Sequence, residues 1–135
     1  MGLFDFLFGK KKQDPSFTLG VVNFFKGDDN PSDLMVVGFV KGSIKVGDEM
    51  VVTNMSCVTE TPVKTTVLSL EVREGKVQEA SDTMVMAIVQ DGTKLGIYKG
   101  TVLHSENAPD AQRYNAYIVA LGVAFVYEQE GKLTK

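Results

Sequence analysis

The sequence carries one cysteine, Cys57, in 135 residues. A single thiol excludes an internal disulfide framework and fits a reducing compartment, so the expectation is a cytoplasmic protein. There is also one histidine, His104. A catalytic triad around it would need a nucleophile and an acid brought from far away in the chain, and the favoured reading is a structural or solvated side chain. No apolar run reaches the roughly 18 residues of a membrane span. At the N-terminus the lysines follow the apolar residues and no small-residue cleavage site appears, which is not the order of a signal peptide. No G-x-x-x-x-G-K-S/T phosphate loop occurs, so nucleotide hydrolysis by that device is excluded. An excess of basic charge is missing too: the formal net charge is −3, and no global positive field draws in nucleic acid.

Other candidates for chemistry are thin. Cys57 has Met55, Ser56 and Val58 beside it, none of them a cation that would lower a thiol pKa. Asp28, Asn30 and Asp33 resemble a metal loop only superficially. Pro31 stiffens the segment, no glycine stands at the sixth position, and Phe39 occupies the twelfth, where an EF-hand has a bidentate Glu. A solvated turn is the expectation there. Met35, Met50, Met84 and Met86 read as core filler, not as a ligand set. The sequence therefore predicts no catalytic residue, no metal, no cofactor and no bound nucleotide.

What is present is a chain of ordinary globular composition, 44% hydrophobic and 23% charged, long enough for one domain with a real core. From Phe17 the apolar pattern has period 2, the mark of strands. Strands are expected at Phe17–Lys26, Leu34–Lys41, Asp48–Asn54, Thr65–Arg73, Thr83–Gln90 and Thr101–His104. In the fourth, Leu68, Leu70 and Val72 are predicted to share a face; in the fifth, Met84, Met86 and Ile88. With no helical segment between them, these strands indicate a closed barrel or sandwich and not βαβ units.

The stretch Gly38 to Met50 (GFVKGSIKVGDEM) reads as strand, tight turn and strand, with Gly42 and Gly47 supplying positive φ where the chain reverses twice. Its spacing resembles the second-domain barrel of translation GTPases such as elongation factor Tu. Two further motifs carry the likeness. Ala80-Ser81-Asp82 before Met84, Met86 and Ile88 looks like the family's A-G-D/E turn ahead of a buried strand. Ile97 to Leu103 looks like its closing I-x-x-G-x-V-L. The resemblance covers Phe17 to His104 and implies a six-stranded Greek-key β-barrel. Ser81 departs from the usual glycine, and the loop Gly27–Asp33 replaces a segment that is Gly- and Arg-containing in elongation factors. The family's barrel helps hold the aminoacylated tRNA end, and that departure weakens any carry-over of RNA binding. The GTPase half is missing: Thr93-Lys94-Leu95-Gly96, the nearest thing to N-K-x-D, lacks both Asn and Asp.

Two segments flank the barrel, giving a division into 1–15, 16–104 and 105–135. The first holds Leu3, Phe4, Phe6, Leu7 and Phe8, then Lys10, Lys11 and Lys12. Wound as a helix, Leu3, Phe4, Leu7 and Phe8 share one side, with Asp5 opposite. It reads as a hook for an anionic membrane surface, as a segment that docks on its own barrel or a partner subunit, or as a frayed end. Gly2 is not a myristoylation site, because Phe6 stands where Ser or Thr is required.

In the last segment Asn107, Pro109 and Asp110 form a helix start and Gly131 a helix stop. Between them Ala116 to Tyr127 carries no charged side chain. As a helix it presents a bulky stripe, Tyr114, Ile118, Leu121 and Phe125, and a small one, Ala116, Ala120 and Ala124. Large residues at the odd positions Tyr117 to Tyr127 also have the period of a strand; the start signal and the alanines favour helix. The alanine stripe with Val119 and Val123 is the expected self-association face.

The resulting expectation is a non-enzymatic interaction module, dimeric or bound to a protein partner, peripheral to a membrane if the hook acts there. The alternative is an RNA- or ribosome-associated binding protein. Phe17 to His104 holds 8 basic and 11 acidic residues. Lys41, Lys45, Lys94 and Lys99, with Tyr98 nearby, would have to gather on one rim to make an RNA groove.

Overall fold

A computed structural model of the chain describes residues 16–27, 29–54 and 63–129. The hook residues Leu3 to Lys12, together with Asp28, Cys57 and Gly131, lie outside the described residues. The elements are β1 (Phe17–Lys26), β2 (Leu34–Lys45), β3 (Glu49–Thr53), β4 (Val63–Val72), β5 (Gly75–Val77), β6 (Glu79–Ser81), β7 (Met84–Val89), β8 (Val102–His104) and helix α1 (Asp110–Gln129).

All pairings are antiparallel. Around the sheet the order is β1-β8-β3-β4-β7-β2, and pairing of β2 back onto β1 closes a six-stranded barrel. The connections β2 to β3 and β7 to β8 cross the barrel ends, while β1–β2, β3–β4 and β4–β7 join neighbours. Two three-residue strands lie outside the ring, β5 on β4 and β6 on the extension of β2. Inward positions on every barrel strand are apolar and inaccessible: Leu19 and Val21, Val36, Val40 and Ile44, Met50, Val67 and Leu70, Val85, Ala87 and Val89, and Leu103. Period-2 patterning delivers one such set per strand.

The strand β2 runs four residues beyond its expected end at Lys41. Gly42 does not reverse the chain. It takes φ 93° inside a continuous strand whose first part pairs with β7 and whose last three residues pair with β6. Any side chain at Gly42 would strike the Ser16 carbonyl oxygen at 2.4 Å. The single reversal is at Lys45–Asp48, where Gly47 has φ 96°, Asp48 N–H donates to the Lys45 carbonyl at 3.0 Å and Lys45 N–H donates to Asp48 Oδ2 at 2.8 Å. Two of the motifs noted above meet here. Gly42 N–H donates to Asp82 Oδ1 at 2.9 Å and Asp82 N–H donates to the Gly42 carbonyl at 3.1 Å, with Asp82 itself left-handed at φ 49°.

Two assignments of face differ from the pattern. The register of β4 shifts between Val67 and Ser69, so Val67 and Leu70 are both buried and Leu68 is 41% exposed. A bulge places two residues opposite one and breaks the parity that put Leu68 with Leu70. On β7 the residues Met84, Met86 and Ile88 do share a face, but it is the outer one; Val85, Ala87 and Val89 point inward. Of the four methionines expected in the core, only Met50 is there, and Met35, Met84 and Met86 are half-buried on the outside.

The Gly27–Asp33 loop is not simply solvated. Asn30 Oδ1 accepts from Ser32 N–H at 3.0 Å. Asp33 turns inward, nearly buried, and its Oδ1 accepts from Asp91 N–H at 2.9 Å. The Thr93 hydroxyl donates to the Ser32 carbonyl at 2.9 Å. The loop thus anchors the 3-10 turn Gly92–Lys94 that leaves β7. Residues 110–129 are helical and not extended.

Candidate interaction surface

Helix α1 lies on the outside of the barrel, over β1. Thr18, Gly20 and Val22 alternate with the core residues Leu19 and Val21, so they face outward, towards the helix. A Cβ on Gly20 would meet the Ala116 carbonyl oxygen at 2.7 Å and the Ala120 Cβ at 3.0 Å. Glycine on the strand and alanine on the helix are what let the two backbones approach this closely. Val22, Ala120 and Ala124 form a small buried cluster, with Val123 and Met84 packed against it. Tyr117 and Leu121 pack over Gly100 on the other flank. The Lys99 ammonium meets Glu128 Oε2 at 2.7 Å, the Ser16 hydroxyl donates to Gln112 Oε1 at 3.2 Å, and Asp110 and Arg113 pair within the first turn.

This docking corrects the expected self-association face. Ala120 and Ala124 are 2% and 4% exposed and Ala116 is half-buried, all turned to the barrel of the same chain, so they are not free to meet a second copy. Small residues go inward because the strand beneath them is glycine-bearing. What the helix presents outward is the bulky stripe: Tyr114, Ile118, Leu121 and Phe125 are 55%, 47%, 37% and 60% exposed, with the Tyr114 and Tyr117 ring centroids 6.2 Å apart. Val119 is also exposed, but on the opposite flank of α1, with Val123 below it.

On that flank a groove of about 390 Å³ runs between α1 and β2. Gln112, Val119 and Val123 form one wall, Phe39 and Lys41 the other, and Thr18 and Gly20 lie on its floor. Thr18 is fully buried, and its hydroxyl has no hydrogen-bond partner. Past Phe39 the apolar surface continues over the outer face of the sheet. There the cross-strand pairs Phe39–Met84, Val37–Met86 and Met35–Ile88 stand side by side, bordered by Glu71, Arg73, Glu74 and Asp82 around a second hollow.

His104 is a structural residue. It is 2% exposed, with Nδ1 2.8 Å from the Ser105 carbonyl oxygen and Nε2 2.8 Å from the Thr53 hydroxyl. A carbonyl can only accept, so Nδ1 carries the proton and Nε2 accepts from Thr53. Burial pulls its pKa below 6.5; the bond to Ser105 works against this and the charge of Arg113 with it. The neutral imidazole therefore belongs to the folded chain, and the unfolded chain takes up the extra proton. This stabilisation is whole above pH 6.5 and is lost as pH falls through the folded-state value. Urea unfolding should show stability declining below about pH 6.5, and His104→Gln should flatten that decline; an unchanged slope in the variant would refute the assignment.

The lysines proposed for one rim are dispersed. Lys45 ends β2 beside Glu79, Lys94 lies in the 3-10 turn whose Thr93 bonds Ser32, past the other end of β2, and Lys99 is paired with Glu128. Tyr98 is exposed, in the turn where its backbone N–H meets the Thr101 hydroxyl at 3.0 Å. Among the described residues no cluster of three His, Cys, Asp or Glu side chains is placed to hold a metal. No described helix is long and apolar enough to cross a membrane.

No family model and no curated protein matches the chain. Solved structures do. The chain is similar to translation elongation factor SelB from Methanococcus maripaludis, in its apo form and in complex with the GTP analogue GppNHp. In each case the TM-score is 0.55 and the identity 26%, over 69% of this chain and 19% of that one. The chain thus spans about a fifth of the elongation factor's length, and what the two have in common is a closed barrel of the translation-factor type.

Proposed function

We propose that this chain is a non-enzymatic protein-interaction module, a translation-factor-like barrel that uses α1 to pair with a second copy of itself. The observation that carries the reading is the outward stripe of Tyr114, Ile118, Leu121 and Phe125. Contiguous exposed apolar surface of this kind marks an interface, and exposed aromatics are enriched at such sites. A stripe along one helix is suited to pack against its own copy across a two-fold axis, where each residue meets its mate's patch. Dimers would also set two N-terminal hooks side by side, so that weak contacts with an anionic membrane surface add.

Light scattering at micromolar concentration tests the pairing. The wild-type chain should run as a dimer, and Ile118→Glu or Phe125→Glu as a monomer with an unchanged circular dichroism spectrum, since both side chains are about half exposed. A wild-type chain that stays monomeric would overturn the reading.

The likeness to an elongation factor favours a second reading, a translation-related protein that binds RNA or the ribosome. The acidic balance of the barrel and its dispersed lysines speak against an RNA groove. Fluorescence anisotropy with tRNA and single-stranded RNA at physiological salt should give no affinity tighter than about 10⁻⁴–10⁻⁶ M, the range of non-specific binding to DNA. A tight, sequence-selective titration would put the second reading first.

A further inference from the structure

We infer that the groove between α1 and β2 is the seat of this chain's own N-terminal apolar segment, Leu3 to Phe8, held in cis as a displaceable plug. The first reason is where the described chain begins. The Ser16 hydroxyl bonds Gln112, and Phe17 N–H donates to Ser105 Oγ at 2.9 Å. Gln112 lines the groove, so the fifteen residues that precede Ser16 are delivered at its mouth. The second reason is reach. From Gln112 to Val123 the helix rises about 16 Å at 1.5 Å per residue. The link Gly9 to Pro15 spans up to about 23–25 Å when extended, enough to set Phe8 anywhere along the groove.

The third reason is chemistry. The walls are apolar and accessible, with Val119 49% and Phe39 36% exposed, and the segment offers three phenylalanines and two leucines within six positions. At about 390 Å³ the groove lies at the small end of ligand-site volumes, so it takes some of those side chains and not all. A short tether holds the segment at an effective concentration in the millimolar range. A contact too weak to form between separate molecules is then populated, and a tighter ligand for the groove still displaces it. The groove flank of α1 is not the flank of Tyr114, Ile118, Leu121 and Phe125, so the plug and the dimer contact stand or fall separately.

Methyl-resolved NMR of the full chain tests this. The wild type should give NOEs from the rings of Phe4 and Phe8, told apart from Phe39 by selective labelling, to the Val119 and Val123 methyls, and their strength should not change on dilution. They should vanish in Phe4→Ser/Phe8→Ser, and those to the Val123 methyls should vanish in Val119→Asp, a half-exposed site where the fold is kept. Amide hydrogen exchange of residues 3–8 should speed at least tenfold in Val119→Asp. Absence of the NOEs in the wild type would overturn the inference. So would NOEs that appear only between differently labelled molecules, which would assign the segment to a second copy, or NOEs that survive Val119→Asp.

Discussion

Gly38→Ala should cost the barrel at least about 3 kcal/mol, the upper end of what overpacking a core ordinarily exacts. Gly38 is buried on β2, opposite Val21 of β1. A Cβ there would lie 2.1 Å from the Gly20 carbonyl oxygen and 2.9 Å from Leu19 Cδ1. The nearer atom is backbone and cannot turn aside, so β1 and β2 must separate at the pairing that closes the ring. Against a total stability of about 5–15 kcal/mol for a domain, that is a large fraction. Urea unfolding measures it, with Gly47→Ala as the comparison. Gly47, unlike Gly38, has left-handed φ, and no atom lies within 4 Å of its missing Cβ, so its penalty is conformational alone, about 1–2 kcal/mol. Equal midpoints for wild type and Gly38→Ala would refute the close approach.

Ala120→Glu should detach α1 from the barrel. Ala120 is 2% exposed against Gly20 and Val22, where the close approach of helix and strand leaves no room for a solvated carboxylate. Leaving a charge buried and uncompensated costs about 3–5 kcal/mol, and the cheapest escape is for the helix to lift and hydrate the new side chain. From sequence alone the same substitution reads as a way to split dimers. The structure assigns it to the inside of one chain, and the two accounts differ in what is measured. Hydrogen exchange should show amides of α1 losing protection at any concentration while β2, β4 and β7 keep theirs. Retained protection in α1 would place Ala120 somewhere other than against β1.

Much of the architecture was legible because each strand advertises itself by period 2 and ends at a turn residue. β1 was read to the residue, and the helix start at Pro109 and Asp110 outweighed the strand-like alternation after it. What escaped has identifiable causes. β5 and β6 are three residues each, too short to show a period. The bulge at Leu68 is invisible because an extra residue changes parity without changing composition. On β7 both faces are apolar, so alternation finds the two sets without saying which is inside; the branched and small set, Val85, Ala87 and Val89, fills the barrel and the methionines stay out. Which stripe of α1 would be buried was likewise undecidable from the helix alone. The signal lay ninety-six residues upstream of Ala116, at Gly20, a glycine on an outward position of a strand, which makes room for an alanine-faced helix.

Closure of this barrel also sets the order in which it can be made. Of the barrel strands β1 is synthesised first, yet its partners include β8, paired at Thr18–His104 and Gly20–Val102, and α1, which comes later still. The bond between Phe17 and Ser105 joins residues 88 apart, and that between Ser16 and Gln112 joins residues 96 apart. Such distant partners make loop closure costly before any contact repays it, which places non-local β folds among the slower folders, in milliseconds to seconds. On the ribosome, β1 to β7 must wait for β8 with their inner faces open to water, a period when a holding chaperone has apolar strands to grip. A chain that stops before Val102 has no strand to set between β1 and β3, and its barrel stays open.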